Sequence, residues 1–129
     1  MPRSDADWRR VGGAHLIADA GVILIFLVAP LVLTMEATAV TLAICLALAH
    51  ATLTMLVLWP PRRLRARVAV VHAAAEATVG VVLVVASLVL RWSATSRVFF
   101  GMVGLAILLT WWLTDYRSVA RWSPDPRRG

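Results

Sequence analysis

The sequence predicts an all-α membrane protein in which four transmembrane helices form two tandem helical hairpins. Three observations lead to this fold class: the composition, the spacing of the apolar runs, and an internal repeat. In the chain of 129 residues, 60% are hydrophobic and 16% are charged, and the mean hydropathy is +0.80. An ordinary soluble domain has about 45–50% apolar and about 25% charged residues. The composition therefore excludes such a domain, and the hydrophobicity excludes a disordered chain.

Four apolar runs give the predicted spans. About 20 helical residues, each adding about 1.5 Å, cross a hydrocarbon core about 30 Å thick. Each run has about this length, and the shortest, which is the fourth, is predicted to extend to Tyr116. Because the links between the runs are short, consecutive helices must be antiparallel. The runs are Ala14–Leu33, Ala37–Trp59, Val68–Leu90 and Val98–Leu113.

These runs divide the chain into five segments of one compact unit. Pro60 and Pro61 remove two successive backbone donors, which predicts that the second helix ends at Trp59. The first run is longer than the apolar core of a signal peptide, about 7–15 residues, so we expect it to be retained. The segments are a cytoplasmic N-terminal segment (1–13), a first transmembrane hairpin (14–59), a cytoplasmic arginine-rich loop (60–67), a second transmembrane hairpin (68–116) and a cytoplasmic basic tail (117–129).

The positive charge predicts the orientation of the chain. The net charge of +6 comes from thirteen arginines and seven acidic residues, and all the arginines except Arg91 and Arg97 lie in the N-terminal segment, the arginine-rich loop or the tail. Basic residues are retained on the cytoplasmic side of a membrane. We therefore expect both termini in the cytoplasm and a multi-pass protein of the cell's inner membrane. Because the arginines are dispersed along the membrane edges, the predicted partner is the lipid bilayer and not nucleic acid.

An internal repeat relates the two halves of the chain at an offset of 57 residues. Arg10–Leu33 aligns without gaps on Arg67–Leu90, with eleven identities in 24 positions. The second helix of each half matches poorly, but the agreement in the first helix predicts duplication of a two-helix unit. Since both hairpins enter the membrane from the same side, the repeat is parallel, with a pseudo-two-fold axis along the membrane normal.

Five ionisable residues lie inside the apolar runs. The repeat preserves a histidine and, four residues later, an acid, which places the two side chains on one face of a helix. Each acid lies nine residues after the arginine that starts its repeat, or about 13 Å into the membrane. An ionisable group that faces lipid costs about 2.5–3.5 kcal/mol, so we expect all five to face the bundle interior in one layer near the midplane. They are His15, Asp19, His50, His72 and Glu76.

Three interpretations of this layer follow from its residue types. Asp19 and Glu76 are suited to bind and release a proton or small cation, with the three histidines as proton partners or ligands. Histidines and carboxylates on facing helices also hold transition metals, and two histidines can ligate a haem, so the same five residues are candidate metal ligands. In the third interpretation the side chains only hold the helices together.

The preferred functional hypothesis is a small membrane protein that binds or translocates a proton or small cation. One alternative is a non-catalytic accessory or assembly subunit of a larger membrane complex, and another is a redox subunit that holds haem or metal. Four helices leave little room for a large substrate, so we expect a homo-oligomer or a larger membrane complex. The sequence has no nucleotide-binding loop, no hydrolase motif and no CxxC motif, which disfavours an enzyme of the soluble type.

Overall fold

Four α-helices form a bundle in the computed structural model of the chain. The structure describes the backbone of residues 5–58 and 65–114, and the side chains of residues 15–57 and 67–114. Every regular element in these ranges is a helix, which confirms the all-α class. In chain order the helices are α1 (Asp5–Val32), α2 (Ala37–Leu58), α3 (Arg65–Val89) and α4 (Ala94–Leu113).

Each helix contains a segment that is long and apolar enough to cross a membrane. These segments have 18 to 23 residues and mean hydropathies between 1.6 and 2.3. The four predicted spans are thereby confirmed in number and approximate position. The segments are His15–Val32, Ala37–Val57, Arg67–Val89 and Ala94–Leu113.

The fourth helix begins earlier than predicted, at Ala94 and not at Val98. Ser93 explains the difference because it is the N-cap, and its side chain accepts a hydrogen bond from the backbone N–H of Ser96 at 3.3 Å. Such a cap satisfies one of the unpaired donors at a helix start and fixes where the helix begins. Arg97, which the sequence analysis placed beside the span, is therefore in the first turn of α4.

The helix ends also differ from the predicted segment boundaries. Helix α4 ends at Leu113, where Thr114 has an extended backbone conformation and its N–H bonds to the carbonyl of Thr110 at 3.0 Å. The predicted extension of the span to Tyr116 goes beyond this helix end and falls on residues 115 and 116, which lie outside the described residues. Helices α1 and α3 begin inside the predicted N-terminal segment and the predicted arginine-rich loop. The predicted helix end at Trp59 and the predicted tail lie outside the described residues.

The helices are arranged as a ring in which each packs beside its neighbours in sequence, and α1 also packs beside α4. Helices α1 and α3 therefore lie diagonally across the bundle and run in the same direction. The half near the two short links has an apolar core with three alanines of α2 facing it, and its largest fully buried side chains are those of Phe26, Leu83 and Phe100. The aromatic rings of Trp92 and Phe100 lie 4.9 Å apart at this end.

Helices α3 and α4 approach each other closely at two glycines. A Cβ atom added to Gly104 would lie 2.9 Å from the carbonyl oxygen of Gly80 and 3.0 Å from side-chain atoms of Leu83 and Val84. Small residues at helix contacts let membrane-embedded backbones pack closely. Position 104 of α4 therefore requires a glycine, because a side chain there would collide with α3.

The helix boundaries repeat at the same offset as the sequence. Helix α1 ends at Val32 and α3 at Val89, while α2 begins at Ala37 and α4 at Ala94. Both pairs are 57 residues apart, because 89 − 32 and 94 − 37 each equal 57. The two links consequently have the same length and lie at the same end of the bundle.

Glu36, in the first link, connects the two hairpins at this end. Its carboxylate accepts hydrogen bonds from the hydroxyl of Ser96, at 2.5 Å, and from the backbone N–H of Ser93. These donors stabilise the ionised carboxylate and lower the pKa of Glu36 from 4.5 to about 2, with the Ser96 hydroxyl making the largest contribution. A negative charge at the start of α4 is also favoured by the helix dipole.

The contacts of Glu36 predict a pH dependence of stability. Because the pKa is lower in the folded state, ionised Glu36 stabilises the fold fully above about pH 4.5, and this contribution is lost as the pH falls towards 2. We expect thermal unfolding in detergent to show this loss for the wild type, and Glu36→Gln to remove that part of the pH dependence. Thr41→Ala, which changes an exposed hydroxyl bonded only to its own helix, should retain it. An unchanged profile in Glu36→Gln would contradict the assignment.

Candidate functional site

The structure brings together the side chains of the five ionisable residues, here called the ionisable cluster: His15, Asp19, His50, His72 and Glu76. Asp19 on α1 lies among groups from three helices. Its Oδ1 is 3.3 Å from Nε2 of His50 and 3.6 Å from Nε2 of His15, and its Oδ2 is 3.5 Å from Nε2 of His72. The hydroxyl of Thr54 donates a hydrogen bond to Oδ2 at 3.3 Å. Asp19 thus contacts side chains of α1, α2 and α3.

Glu76 on α3 completes the cluster across the bundle diagonal. Its Oε1 lies 3.2 Å from Nε2 of His72 and 3.7 Å from Nε2 of His15. The histidine rings are also close to one another, since the His15 and His72 centroids are 5.6 Å apart and the His50 and His72 centroids are 5.8 Å apart. The histidines and carboxylates of α1 and α3 therefore alternate around the centre of the cluster.

The members of the cluster differ in their exposure. The side chains of Asp19, His72 and Glu76 are 5%, 2% and 3% exposed, whereas those of His15 and His50 are 14% and 11% exposed. The two carboxylates are therefore enclosed, and the two partly exposed histidines lie at the edge of the cluster.

The cluster lies in the half of the bundle away from the two links. Asp19 is 13 residues before the end of α1 at Val32, and Glu76 is 13 residues before the end of α3 at Val89. At about 1.5 Å per residue, this distance is about 20 Å. The apolar core between Phe26 and Phe100 separates the cluster from the links.

Two threonines of the site were not found by the sequence analysis. Thr54 lies four residues after His50 on α2, so the two residues share one helix face. This spacing could have predicted Thr54 as a member of the site. Thr114 follows the end of α4 and lies 3.2 Å, through its Oγ1, from Nδ1 of His15. A contact between residues 99 positions apart leaves no signal in the spacing of a single sequence.

Thr114 determines which nitrogen of His15 faces the cluster as a possible ligand. Its hydroxyl donates to the carbonyl of Thr110 at 2.8 Å, so its oxygen is left to accept a hydrogen bond from Nδ1–H of His15. A neutral imidazole has one N–H and one lone pair, so Nε2 of His15 then carries the lone pair. That nitrogen is directed towards the carboxylates of Asp19 and Glu76, and a lone pair facing carboxylate oxygens requires a proton or a cation between them.

His72 is the most enclosed histidine and has unsatisfied hydrogen-bonding capacity. Within the described residues Nδ1 of His72 has no hydrogen-bond partner, and Nε2 lies 3.2 Å from Oε1 of Glu76 and 3.5 Å from Oδ2 of Asp19 without the alignment of a regular hydrogen bond. Buried polar atoms are nearly always hydrogen-bonded, and an exception calls for an explanation such as an ion or a functional role. His72 is such an exception.

A small cavity adjoins the cluster between α2 and α3. Its volume is ≈ 30 Å³, and its lining includes His50, Glu76, Phe26 and Ile107. Such a space holds about one water molecule and is far smaller than a porphyrin. The ring of His72 lies 5.6 Å from that of His15 and 5.8 Å from that of His50, so a haem bound between two of these histidines would require their rings to separate. A single metal ion remains compatible with the ligand types.

Comparison of the chain with family models, curated proteins and solved structures gives no match. The fold and the site define an all-helical protein with the pattern of a multi-pass membrane protein, in which histidines and carboxylates meet inside a four-helix bundle.

Proposed function

We propose that the protein binds a proton or small cation at the ionisable cluster and exchanges it across the membrane. The observation that carries this proposal is the enclosure of Asp19 and Glu76 together with His72. With the histidines neutral, the two carboxylates give the cluster two negative charges. Enclosed charge is costly unless it is neutralised, so the cluster favours occupation by protons or a cation.

The arrangement of the cluster supports access of the ion from one side of the membrane and not passage through an open pore. His15 and His50 are the partly exposed members and form the route of entry. On the other side, the buried rings of Phe26 and Phe100 separate the cluster from the links. Passage therefore requires a rearrangement of this apolar core, and we expect slow, carrier-like flux.

The orientation and assembly of the protein belong to the same proposal. The distribution of arginines supports a cell-membrane location with both termini in the cytoplasm, so that the entry route faces the cytoplasm. The common 57-residue offset of sequence and helix ends supports duplication of an ancestral hairpin. A homo-oligomer or larger membrane complex is proposed because one narrow bundle offers little enclosed volume.

Flux through liposomes tests the proposal. Purified protein is reconstituted with a pH-sensitive dye inside the vesicles, and a potassium diffusion potential drives proton entry, while isotopic Na⁺ measures cation entry in parallel. We expect flux by the wild type, and its loss in the variant that combines Asp19→Asn with Glu76→Gln, because these changes keep side-chain size and remove both exchangeable charges. Thr41→Ala serves as the matched control and should conduct like the wild type.

Two results would contradict the proposal. One is flux that is equal in the double variant and the wild type. The other is a wild-type rate no higher than that of protein-free vesicles for both protons and Na⁺. Circular dichroism of the same vesicles shows whether each variant keeps its helices, so a loss of flux through unfolding is recognised.

A role as an accessory subunit is favoured by one specific observation. The cluster and its threonines connect α1 with all three other helices, through His50 and Thr54 on α2, His72 on α3 and Thr114 on α4. Polar contacts of this kind hold membrane helices in register. If the double variant loses a stoichiometric co-purifying protein, identified by mass spectrometry in mild detergent, while flux is unchanged, this role replaces the proposed one.

A further inference from the structure

We propose that the cation held at the ionisable cluster is a divalent transition metal of the zinc type, bound by His15, Asp19, His72 and Glu76. This inference rests on the proposed function and specifies its ligand. One donor atom from each of these four residues lies within 4.8 Å of every other. Two imidazole nitrogens and two carboxylate oxygens are a ligand set that zinc accepts in four-coordinate sites.

The histidine-to-carboxylate distances are close to the ligand spacing of a tetrahedral site. Zinc–nitrogen and zinc–oxygen bonds of about 2.0–2.2 Å place neighbouring ligands of a tetrahedron about 3.3–3.6 Å apart. The histidine-to-carboxylate distances are 3.2 and 3.7 Å to Oε1 of Glu76, 3.6 Å from His15 to Oδ1 of Asp19, and 3.5 Å from His72 to Oδ2 of Asp19. One donor atom from each residue lies within 4.8 Å of the others, so small rotations of the side chains bring the four atoms to the spacing of a tetrahedral site.

His72 provides an independent observation that points to a ligand. It is almost completely enclosed, and within the described part of the chain neither of its ring nitrogens makes a well-aligned hydrogen bond. Coordination of a metal by Nε2 would satisfy the nitrogen that lies 3.2 Å from Glu76 and 3.5 Å from Asp19. His72 is thus a buried imidazole whose Nε2 is aimed at both carboxylates without a well-aligned hydrogen bond.

The groups around the four ligands are arranged to orient them. In the neutral tautomer of His15 with the proton on Nδ1, that N–H donates to Thr114, and the lone pair of Nε2 is directed towards the site. His50 and Thr54 contact the two oxygens of Asp19. Metal-bound histidines and carboxylates usually have such hydrogen-bond partners, which fix their orientation.

The charge and the donor types select among divalent ions. A divalent cation neutralises the carboxylates of Asp19 and Glu76, so the occupied site is formally neutral inside the membrane. Magnesium and calcium prefer six or more oxygen ligands, and two imidazole donors disfavour them. Zn²⁺ is therefore the probe of choice, with Mg²⁺ as the comparison.

Equilibrium dialysis of the full chain in mild detergent, followed by elemental analysis, tests the inference. We expect one Zn²⁺ per chain in the wild type, retained in an excess of Mg²⁺. His72→Gln and Glu76→Gln should each weaken binding by more than about 100-fold, and His50→Gln by about 10–100-fold, as is typical when a partner of a ligand is removed. Cys45→Ser and Thr41→Ala should bind like the wild type, since Cys45 is exposed and neither residue belongs to the cluster.

The outcomes separate the inference from the proposed function. Absence of stoichiometric Zn²⁺ in the wild type, or binding that His72→Gln and Glu76→Gln leave intact, overturns the inference. Proton flux that depends on Asp19 and Glu76 would then still support the proposed function. Ligand-dependent Zn²⁺ binding, without entry of Zn²⁺, protons or Na⁺ into liposomes, would establish the metal site and overturn passage across the membrane. Folding of each variant is checked by its thermal unfolding in the same detergent.

Discussion

Replacing Asp19 with alanine is expected to lower the free energy of unfolding by at least about 2 kcal/mol. Asp19 contacts His15, His50, His72 and Thr54, and one polar contact in a membrane protein contributes about 0.6 kcal/mol on average. Removing one partner of a buried charge pair costs about 3–5 kcal/mol, which sets the upper end. Reversible unfolding in mixed micelles measures the change.

The control for this prediction is Thr41→Ala, because that hydroxyl is exposed and bonds only within α2. An Asp19→Ala variant as stable as this control would contradict the assigned contacts.

Replacing the whole ionisable cluster with leucine distinguishes function from stabilisation, because exchanging a complete buried ionic network for apolar side chains is often neutral or stabilising. We expect the variant with all five replacements to be at least as stable as Asp19→Ala. Greater destabilisation would favour a purely structural role.

Replacing Gly104 with alanine is expected to destabilise the bundle by about 1–3 kcal/mol, the usual cost of overpacking. The new Cβ would meet the backbone carbonyl of Gly80 at 2.9 Å and the side chains of Leu83 and Val84 at 3.0 Å. A backbone oxygen cannot rotate away as a flexible side chain does, so α3 and α4 must separate. Thermal unfolding in detergent measures the loss.

Gly21→Ala is the matched control because a Cβ at that position meets nothing within 4 Å. Alanine is favoured over glycine in a helix by about 0.5–1 kcal/mol, so this variant should be as stable as the wild type or more stable. If both substitutions change the stability equally, close packing at Gly104 is not what sets the contact between α3 and α4.

The sequence predicted the helices and the members of the cluster for simple physical reasons. Membrane spans need long apolar runs, and the four-residue spacing of His15 and Asp19, repeated in His72 and Glu76, places each pair on one helix face. The depth of these residues in the membrane could also be predicted, by counting from the arginine that starts each repeat. Because ionisable groups avoid lipid, these side chains are expected to face the bundle interior.

The remaining features depend on contacts between distant parts of the chain. The start of α4 is set by a cap at Ser93 and by Glu36 from the other hairpin, and neither effect is visible in hydropathy. Thr114 reaches His15 only because α4 ends beside the beginning of the apolar part of α1. The closeness of Gly80 to Gly104 likewise depends on how two helices pack, which the spacing of one helix does not determine.

The most direct test of the central claim is the initial rate of proton and Na⁺ entry per protein molecule at a fixed membrane potential. The account predicts a rate above that of protein-free vesicles for the wild type and Thr41→Ala, and a rate at the protein-free level when Asp19→Asn and Glu76→Gln are combined. Equal rates in the double variant and the wild type, with all proteins helical, would contradict a role of the ionisable cluster in binding and exchanging the ion.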